Sequence, residues 1–340
     1  MAWYRPNPLD GFTVDRASIA YVGQDLQRPE CILAEKDGSL WTADARGGVV
    51  HIRPNGTQEL IAQKTQTSLA NGANEAARLV SGTLPNGLAF AGSGDILIAN
   101  FGTDRLEVMS RTGETRTLIE TIDGEPIGKV NFVLRDTKDR LWLTVSTRIK
   151  DWMRAMSPSI ADGYIALYDG RALRIVADGF AFTNEIRFDA REEWLYVVET
   201  CGRRITRLRA LDDGTLVDRE TFGPVNHQAF IDGIAFDSHG NLWGTHIMTD
   251  RIFAISPEGD LRIVLDDDCN SSTGQSLMAA FNRNEATPDM MLACGGTIGP
   301  WFTSITFGGP DLTSVYVGNL RGTRIPFFRS PVAGLPMVHW

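Results

Sequence analysis

The sequence predicts an all-β fold, a six-bladed β-propeller whose four-stranded antiparallel blades surround a central channel. Three observations support that prediction. One turn-and-strand phrase occurs six times, and each copy opens with a polar, metal-capable residue, at Glu30, Asn86, Asn131, Asn184, Asp232 and Ser304. Subtracting these positions gives intervals of 45 to 72 residues, the spacing of propeller blades and not of helical repeats.

Each copy of the phrase is predicted to form a strand, a tight turn and a second strand. The copies are, in chain order, ECILAEKDGSLW, NGLAFAGSGDIL, NFVLRDTKDRLW, NEIRFDAREEWLY, DGIAFDSHGNLW and SITFGGPDLTSVY. Apolar and polar residues alternate through each copy, and Gly, Asp or a charged pair marks the turn. Most copies continue with a third apolar run and many with a fourth, such as RIFAISP after Asp250 and LRIVL after Asp260.

The predicted domain is the whole chain, residues 1–340, with blades that start near the six polar residues. The last blade runs out of strands near Phe328, so a strand near residues 18–22 is expected to complete it and to remove the exposed sheet edges. Two long insertions, residues 147–163 and 266–300, are expected to fold over one mouth of the channel as lids.

The composition limits which kind of protein this can be and which kinds of partner it can bind. Hydrophobic residues make up 43% of the chain and charged residues 22%, as in ordinary globular proteins. A net charge of -9 without a basic cluster argues against a nucleic-acid partner. We find neither an apolar run of about 20 residues nor a signal peptide, and the four cysteines lack metal or disulfide spacing. We therefore expect a cytoplasmic protein that acts on a small molecule, without a membrane partner; the oligomeric state is left open.

The six polar residues are expected to form a ring, because the innermost strands of a propeller line its channel at equivalent levels. Glu30 and Asp232 supply carboxylates and three Asn side chains supply amide oxygens, which together suit the oxygen ligation of calcium. Magnesium, manganese and zinc are the alternatives, although no Cys or His shares the register. Asn, Asp and Ser also begin strands as turn caps, whereas Glu gains little from that role.

Two phrases carry a family resemblance. TSITFGGPDLTSVYVGNL at residues 303–320 and IDGIAFDSHGNLW at residues 231–243 are similar to phrases of the senescence marker protein, gluconolactonase and luciferin-regenerating family, which includes regucalcin. The resemblance implies a six-bladed propeller with divalent-metal ligands at Glu30, Asn184 and Asp232, and a further ligand or substrate contact at Asn131. Asn86 shares the register and is expected beside the ligands, among the substrate contacts.

Departures from the family phrases change the expected substrate. The Arg-x-Asn-Asp-Gly phrase of the sugar lactonases is replaced here by residues 129–133, KVNFV, which removes plausible sugar contacts. Residues about 14 to 20 positions after each ring residue should return to the same mouth. The substrate contacts expected beside Asn86 are Phe132, Trp152, His246, Met248 and Trp301, which favour an apolar or aromatic lactone. Alternatively, Trp152 is buried against its blade and His246 is a solvated loop residue.

The predicted activity is metal-dependent hydrolysis of a lactone or ester, in which the ion polarises the carbonyl. Asp232 is the expected catalytic residue, either as general base on the attacking water or as nucleophile. One alternative is a strictosidine-synthase-like enzyme that uses Glu30 without metal, since such propellers share Pro29-Glu30 and residues 85–87, PNG. The other is a non-catalytic binding propeller whose ion is structural.

Overall fold

The computed structural model describes residues 6–64, 79 and 81–340. Within these ranges the chain forms six four-stranded antiparallel sheets arranged as the blades of a β-propeller, which confirms the predicted fold class. A predicted single domain over residues 1–340 includes positions outside these ranges and stays a prediction. No helix in the described ranges is long and apolar enough to cross a membrane.

The strands follow one another from the channel outward in each blade. Strand β1 (Ala20–Val22) precedes blade one, which contains β2 (Ile32–Ala34), β3 (Leu40–Asp44), β4 (Gly48–Ile52) and β5 (Gln58–Ala62). Blade two contains β6 (Pro85–Phe90), β7 (Ile96–Asn100), β8 (Arg105–Met109) and β9 (Thr115–Ile119), and the hairpin β10 (Thr121–Ile122) and β11 (Glu125–Pro126) follows it. Blade three contains β12 (Val130–Arg135), β13 (Leu141–Val145), β14 (Gly163–Tyr168) and β15 (Leu173–Phe180).

The second half of the ring repeats the pattern. Blade four contains β16 (Thr183–Phe188), β17 (Trp194–Glu199), β18 (Arg204–Ala210) and β19 (Leu216–Phe222). Blade five contains β20 (Phe230–Phe236), β21 (Leu242–Ile247), β22 (Arg251–Ile255) and β23 (Leu261–Asp266), and blade six contains β24 (Phe302–Gly308), β25 (Ser314–Asn319) and β26 (Ile325–Arg329). Strand β1 pairs antiparallel with β26 and is the fourth strand of blade six.

Burial distinguishes the inner strands from the outer ones. Strands β6, β16, β20 and β24 are buried at every residue, because they lie between the channel and the neighbouring blades. The outer strands β5, β9 and β19 keep exposed residues, as expected where one face meets water. Successive inner strands contact one another, and β24 contacts β2, so the six inner strands enclose the channel.

Aromatic side chains join the blades at repeated positions. Trp142 of β13 packs edge-on against Phe188 of β16, with 5.3 Å between the ring centroids. Its indole N–H donates to Asp136 in the turn of its own blade at 2.9 Å. Equivalent edge contacts join Trp41 to Phe90 and Trp243 to Phe307. The Trp that ends three of the sequence phrases is therefore an interblade packing residue.

Helices occur in the two insertions. A single 3-10 turn, Trp152–Ala155, lies in residues 147–163. Helix α1 (Ser272–Asn282) begins after Ser271, whose hydroxyl accepts from Gly274 N, and α2 (Pro288–Leu292) begins after Thr287. Buried apolar residues of both insertions, including Met156, Leu277 and Phe281, form one cluster with residues at the N-terminal ends of the inner strands. Another 3-10 turn, Arg16–Ser18, precedes β1.

Candidate functional site

Irregularities in the inner strands position the ring residues. The strand register shifts between Pro85 and Leu88, Val130 and Phe132, Thr183 and Ile186, Ile231 and Ile234, and Phe302 and Ile305. Each interval contains one ring residue of blades two to six, while Glu30 lies just before β2. A bulge bends the strand and aims the extra side chain away from the regular pleat. The ring therefore comes from a repeated backbone irregularity as well as from the residue type.

Five of the six ring residues line one cavity of about 60 Å³ at the entry ends of the inner strands. They are Glu30, Asn86, Asn131, Asn184 and Asp232. The sixth, Ser304, donates from its hydroxyl to Glu30 O at 2.7 Å and holds the backbone of blade one. A second cavity of about 210 Å³ lies at the opposite channel mouth, where its lining is mostly apolar and includes Phe188, Phe307 and Met337.

The ring presents four buried oxygen atoms that have no hydrogen-bond partner. They are Glu30 Oε2, Asn131 Oδ1, Asn184 Oδ1 and Asp232 Oδ1. Buried polar atoms are nearly always paired, so four unpaired oxygen atoms on one cavity indicate that it binds a positively charged or positively polarised ligand. Two carboxylates and two amide oxygens suit a hard divalent cation such as calcium. Across the described residues, no group of three or more His, Cys, Asp or Glu is arranged for a metal, so this candidate set depends on its amides.

The two carboxylates lie in an electrostatic setting that favours a cation. Burial, followed by the charge of Asp232, raises the pKa of Glu30 well above its usual value. Burial, followed by the charge of Glu185, raises the pKa of Asp232 to about 8. The Arg28 guanidinium opposes both shifts. A bound divalent cation favours the charged form of both carboxylates. Glu30 and Asp232, which repel each other when no ion is present, can therefore bind one ion together.

Neighbouring side chains orient the amides. Asn184 Nδ2 donates to Thr200 Oγ1 at 3.1 Å, and Thr200 in turn donates to Ile231 O at 2.7 Å. Asn86 differs, because its Oδ1 accepts from Arg28 Nη2 at 2.6 Å and its Nδ2 donates to Glu30 Oε1 at 3.0 Å. Asn86 therefore contacts a candidate ligand and has no free oxygen of its own.

Arg28 and Thr200 line the cavity and were not identified from the sequence. Thr200 falls 16 positions after Asn184, within the interval expected to return to the mouth, so counting along the chain was a usable signal. Arg28 stands two residues before Glu30, where the family phrases gave no reason to select it. The Lys129 side chain, by contrast, pairs with Asp104 at 2.8 Å and is not among the lining residues.

Three of the expected substrate contacts besides Asn86 line the cavity, namely Trp152, Met248 and Trp301. Phe132 and His246 do not line it. Phe132 is fully buried in the blade core, and the Arg187 guanidinium lies 4.5 Å from its ring centroid. Since successive strand residues point to opposite faces, Ile247 faces the cavity while His246 turns into the blade, where its Nε2 lies 3.1 Å from His227 Nδ1.

The cavity wall above the ring is apolar. Trp152 packs against Phe101 and Phe182, with centroid distances of 5.7 and 6.2 Å. The other apolar lining residues are Leu79, Met156, Ile247, Met248, Trp301 and Leu320. Phe182, Met248 and Trp301 have φ values of 61°, 69° and 64°, a left-handed conformation that disfavours large side chains by about 1–2 kcal/mol each. Such conformations persist only where the surrounding structure determines them, and they are common at functional sites.

Comparison with known proteins agrees with the fold. The family model described as the SMP-30/Gluconolactonase/LRE-like region matches residues 29–272. A gluconolactonase from Xanthomonas campestris is 17% identical, with a TM-score of 0.66 and coverage of 94% of each chain. The calcium-binding protein regucalcin from Agrobacterium tumefaciens is 15% identical, with a TM-score of 0.63 and coverage of 92% of this chain and 95% of that one.

A luciferin-regenerating enzyme shows the same level of likeness, at 14% identity and a TM-score of 0.67. The alignment covers 94% of this chain and 98% of that one. At such identities the likeness establishes the propeller fold, and the chemistry has to be argued from the cavity.

Proposed function

Because the chain belongs to the SMP-30/gluconolactonase/LRE-like family, as its phrases predicted, we propose that it is a divalent-metal-dependent hydrolase of lactones or esters. The observation that carries the proposal is the set of four unpartnered oxygens on one cavity, from Glu30, Asn131, Asn184 and Asp232. Calcium is the proposed ion, because all four donors are oxygen atoms and two of them are neutral amides. Magnesium, manganese and zinc remain alternatives.

The four ring residues would hold the ion, and Asp232 is proposed to have a second role. When bound, a divalent cation supplies a Lewis acid that polarises a carbonyl and stabilises developing negative charge. Held to the ion through its unpartnered Oδ1, Asp232 would use its other carboxylate oxygen to accept the proton of an attacking water. Direct attack by Asp232 on the carbonyl is the alternative. In either case its carboxylate must be charged.

The apolar wall of the cavity favours a substrate that carries an apolar or aromatic substituent. Trp152, Met248 and Trp301 extend this wall above the oxygen ring, and apolar side chains exclude water from the reacting groups. The volume of about 60 Å³ is smaller than that of typical ligand sites. Substrate entry therefore requires side chains of the wall to move. We propose that Trp152, in the 147–163 insertion, moves to admit the substrate.

A combined binding and turnover experiment tests the proposal. Trp152 and Trp301 line the candidate centre, so terbium bound there should emit light when the tryptophans are excited, and calcium should quench that emission by displacement. Glu30→Gln and Asp232→Asn should lose both the emission and the turnover of phenyl-substituted lactones. Asp311→Asn, at an exposed ion pair with Arg329, is the control and should retain both.

The outcomes separate the proposal from its alternatives. Turnover that persists in wild-type protein dialysed against chelator, but not in Glu30→Gln, would indicate a metal-independent enzyme that uses Glu30. Ion binding without turnover of any lactone, ester or phosphotriester would indicate a binding propeller with a structural ion. Gluconolactone turned over faster than the phenyl-substituted lactones would contradict the proposed substrate class alone.

A further inference from the structure

Arg28 lies in the cavity wall beside the candidate ligands. Its side chain is buried, with 8% of the residue exposed, and among the described lining residues it is the one Lys or Arg. Its backbone is left-handed, with φ 57°, directly before Pro29, and Glu30 N donates to Arg28 O at 2.8 Å. A non-glycine residue keeps such a conformation only where its surroundings determine it. This tight turn directs the side chain into the cavity.

The guanidinium connects blade one to blade two. Arg28 Nη1 donates to Pro85 O at 2.9 Å, and Nη2 donates to Asn86 Oδ1 at 2.6 Å. Asn86 Nδ2 then donates to Glu30 Oε1 at 3.0 Å and to Asn131 O at 3.1 Å. The amide of Asn86 thus has both its N–H groups and its oxygen engaged.

This chain of hydrogen bonds determines which carboxylate oxygen of Glu30 is free to bind an ion. Because Arg28 occupies Oδ1 of Asn86, the amide can present only N–H groups to Glu30. Its donation to Glu30 Oε1 leaves Glu30 Oε2 as the carboxylate oxygen without a partner. Asn86 also contacts the backbone of Asn131, so one amide lies between two of the four candidate ligands.

We propose that Arg28 is a positioning residue of the metal centre, acting through the Asn86 amide to fix the carboxylate of Glu30 for the ion. The inference rests on the proposed function, since it concerns the same centre. A planar guanidinium donates to Pro85 O and Asn86 Oδ1 at once, whereas lysine carries the same charge on a single nitrogen. Arg28→Lys therefore separates geometry from charge.

A double-mutant cycle on ion affinity tests the proposal. Calorimetric titration of full-length, chelator-treated protein with calcium chloride should give binding about 10 to 100 times weaker for Arg28→Lys and for Asn86→Ala. The double variant should bind no more weakly than the weaker single variant, because both changes break one chain of contacts. Arg46→Lys, at an ion pair with Asp44 outside the cavity lining, is the matched control and should keep wild-type affinity.

A second variant distinguishes positioning from simple charge and keeps the test valid if Arg28→Lys folds poorly. Asn86→Asp adds a carboxylate beside the ion, so charge alone predicts tighter binding. It also loses the N–H groups that hold Glu30 Oε1, so the proposal predicts weaker binding. Unfolding temperatures in excess chelator report folding separately.

Affinity within twofold of wild type for Arg28→Lys would overturn the inference. So would a loss in the double variant equal to the product of the single losses, or tighter binding by Asn86→Asp. Wild-type protein that binds no divalent ion would instead overturn the proposed function itself, and the inference with it.

Discussion

Asn184 Nδ2 donates to Thr200 Oγ1 across 3.1 Å, joining a residue within the blade-four bulge to the segment that returns to the channel mouth. Thr200 is itself held by its donation to Ile231 O in blade five. This donation uses one N–H of the Asn184 amide, and Oδ1 is left unpartnered. Two blades therefore cooperate to orient one candidate ligand.

Thr200→Val should weaken calcium binding about tenfold, because the Asn184 amide loses the acceptor that orients it. Thr200→Ser keeps the hydroxyl and should bind calcium as the wild type does. Calorimetric titration of the three proteins measures the effect. Equal affinity for the valine and serine variants would show that the hydroxyl does not orient the ligand.

Asp232→Asn should stabilise the chelated protein by about 2 kcal/mol, because it removes a buried carboxyl group that lies near Glu30 and Glu185 when no divalent ion is bound. Calcium at one hundred times its dissociation constant should then stabilise the wild type by about 2.7 kcal/mol and the variant much less. Urea unfolding with chelator and with calcium measures both effects.

Glu199→Gln is the matched control for that prediction. Glu199 is also a buried carboxylate, but it accepts hydrogen bonds from Arg204, Thr206 and the Ala181 backbone. The same change of acid to amide should therefore destabilise the protein with or without calcium. If both variants destabilised the chelated protein equally, Asp232 would be an ordinary structural carboxylate.

The buried pair of His227 and His246 should make stability fall in mild acid. Burial lowers the pKa of His227 to about 4, and burial with the neighbouring His227 lowers that of His246 well below its usual value. Between about pH 6.5 and 4 the unfolded chain binds more protons than the folded chain, so stability is fully present above pH 6.5 and is lost as the pH falls.

His227 alone should account for a loss of about 2 kcal/mol between pH 7 and pH 5. Since the candidate ligands also titrate, the comparison is between wild type and His227→Gln, both in excess chelator. The variant should lose less stability than the wild type over that interval, measured by urea unfolding at pH 7, 6 and 5. Parallel pH profiles would mean that the pair is protonated in the folded protein.

Trp152 should contact the substrate through its indole N–H. Its Nε1 is buried in the cavity wall without a hydrogen-bond partner. Trp152→Phe keeps the ring contacts and removes the donor, so kcat/KM for a phenyl-substituted lactone should fall about tenfold. Trp194→Phe, at the start of β17 and outside the cavity lining, should leave kcat/KM unchanged. Wild-type kinetics in Trp152→Phe would exclude the contact.

The fold was predictable because its determinants are local and repeated. Alternation, turn residues and the final Trp recur in the phrases, and the Trp142 contact with Phe188 shows why that Trp is needed between blades. The meeting of Glu30, Asn131, Asn184 and Asp232 at one cavity also followed from register, because each occupies an equivalent place at the start of an inner strand.

The remainder of the cavity depends on details that the repeat does not encode. Phe132 and His246 were selected by their place along the chain, but the side on which a strand residue points changes with each position and with each bulge. Arg28 was missed because its role depends on a left-handed turn and on Asn86, 58 residues away.

The pairing of β1 with β26 has a consequence for biosynthesis. Strand β1 is made early, yet its partner is completed only at Arg329. Until the ribosome has released that segment, the emerging polypeptide exposes an unpaired β1 and an unclosed row of blades, both of which can recruit strands from other nascent chains. Ring closure therefore cannot precede the synthesis of blade six, and both edges stay exposed until β26 is available to pair with β1.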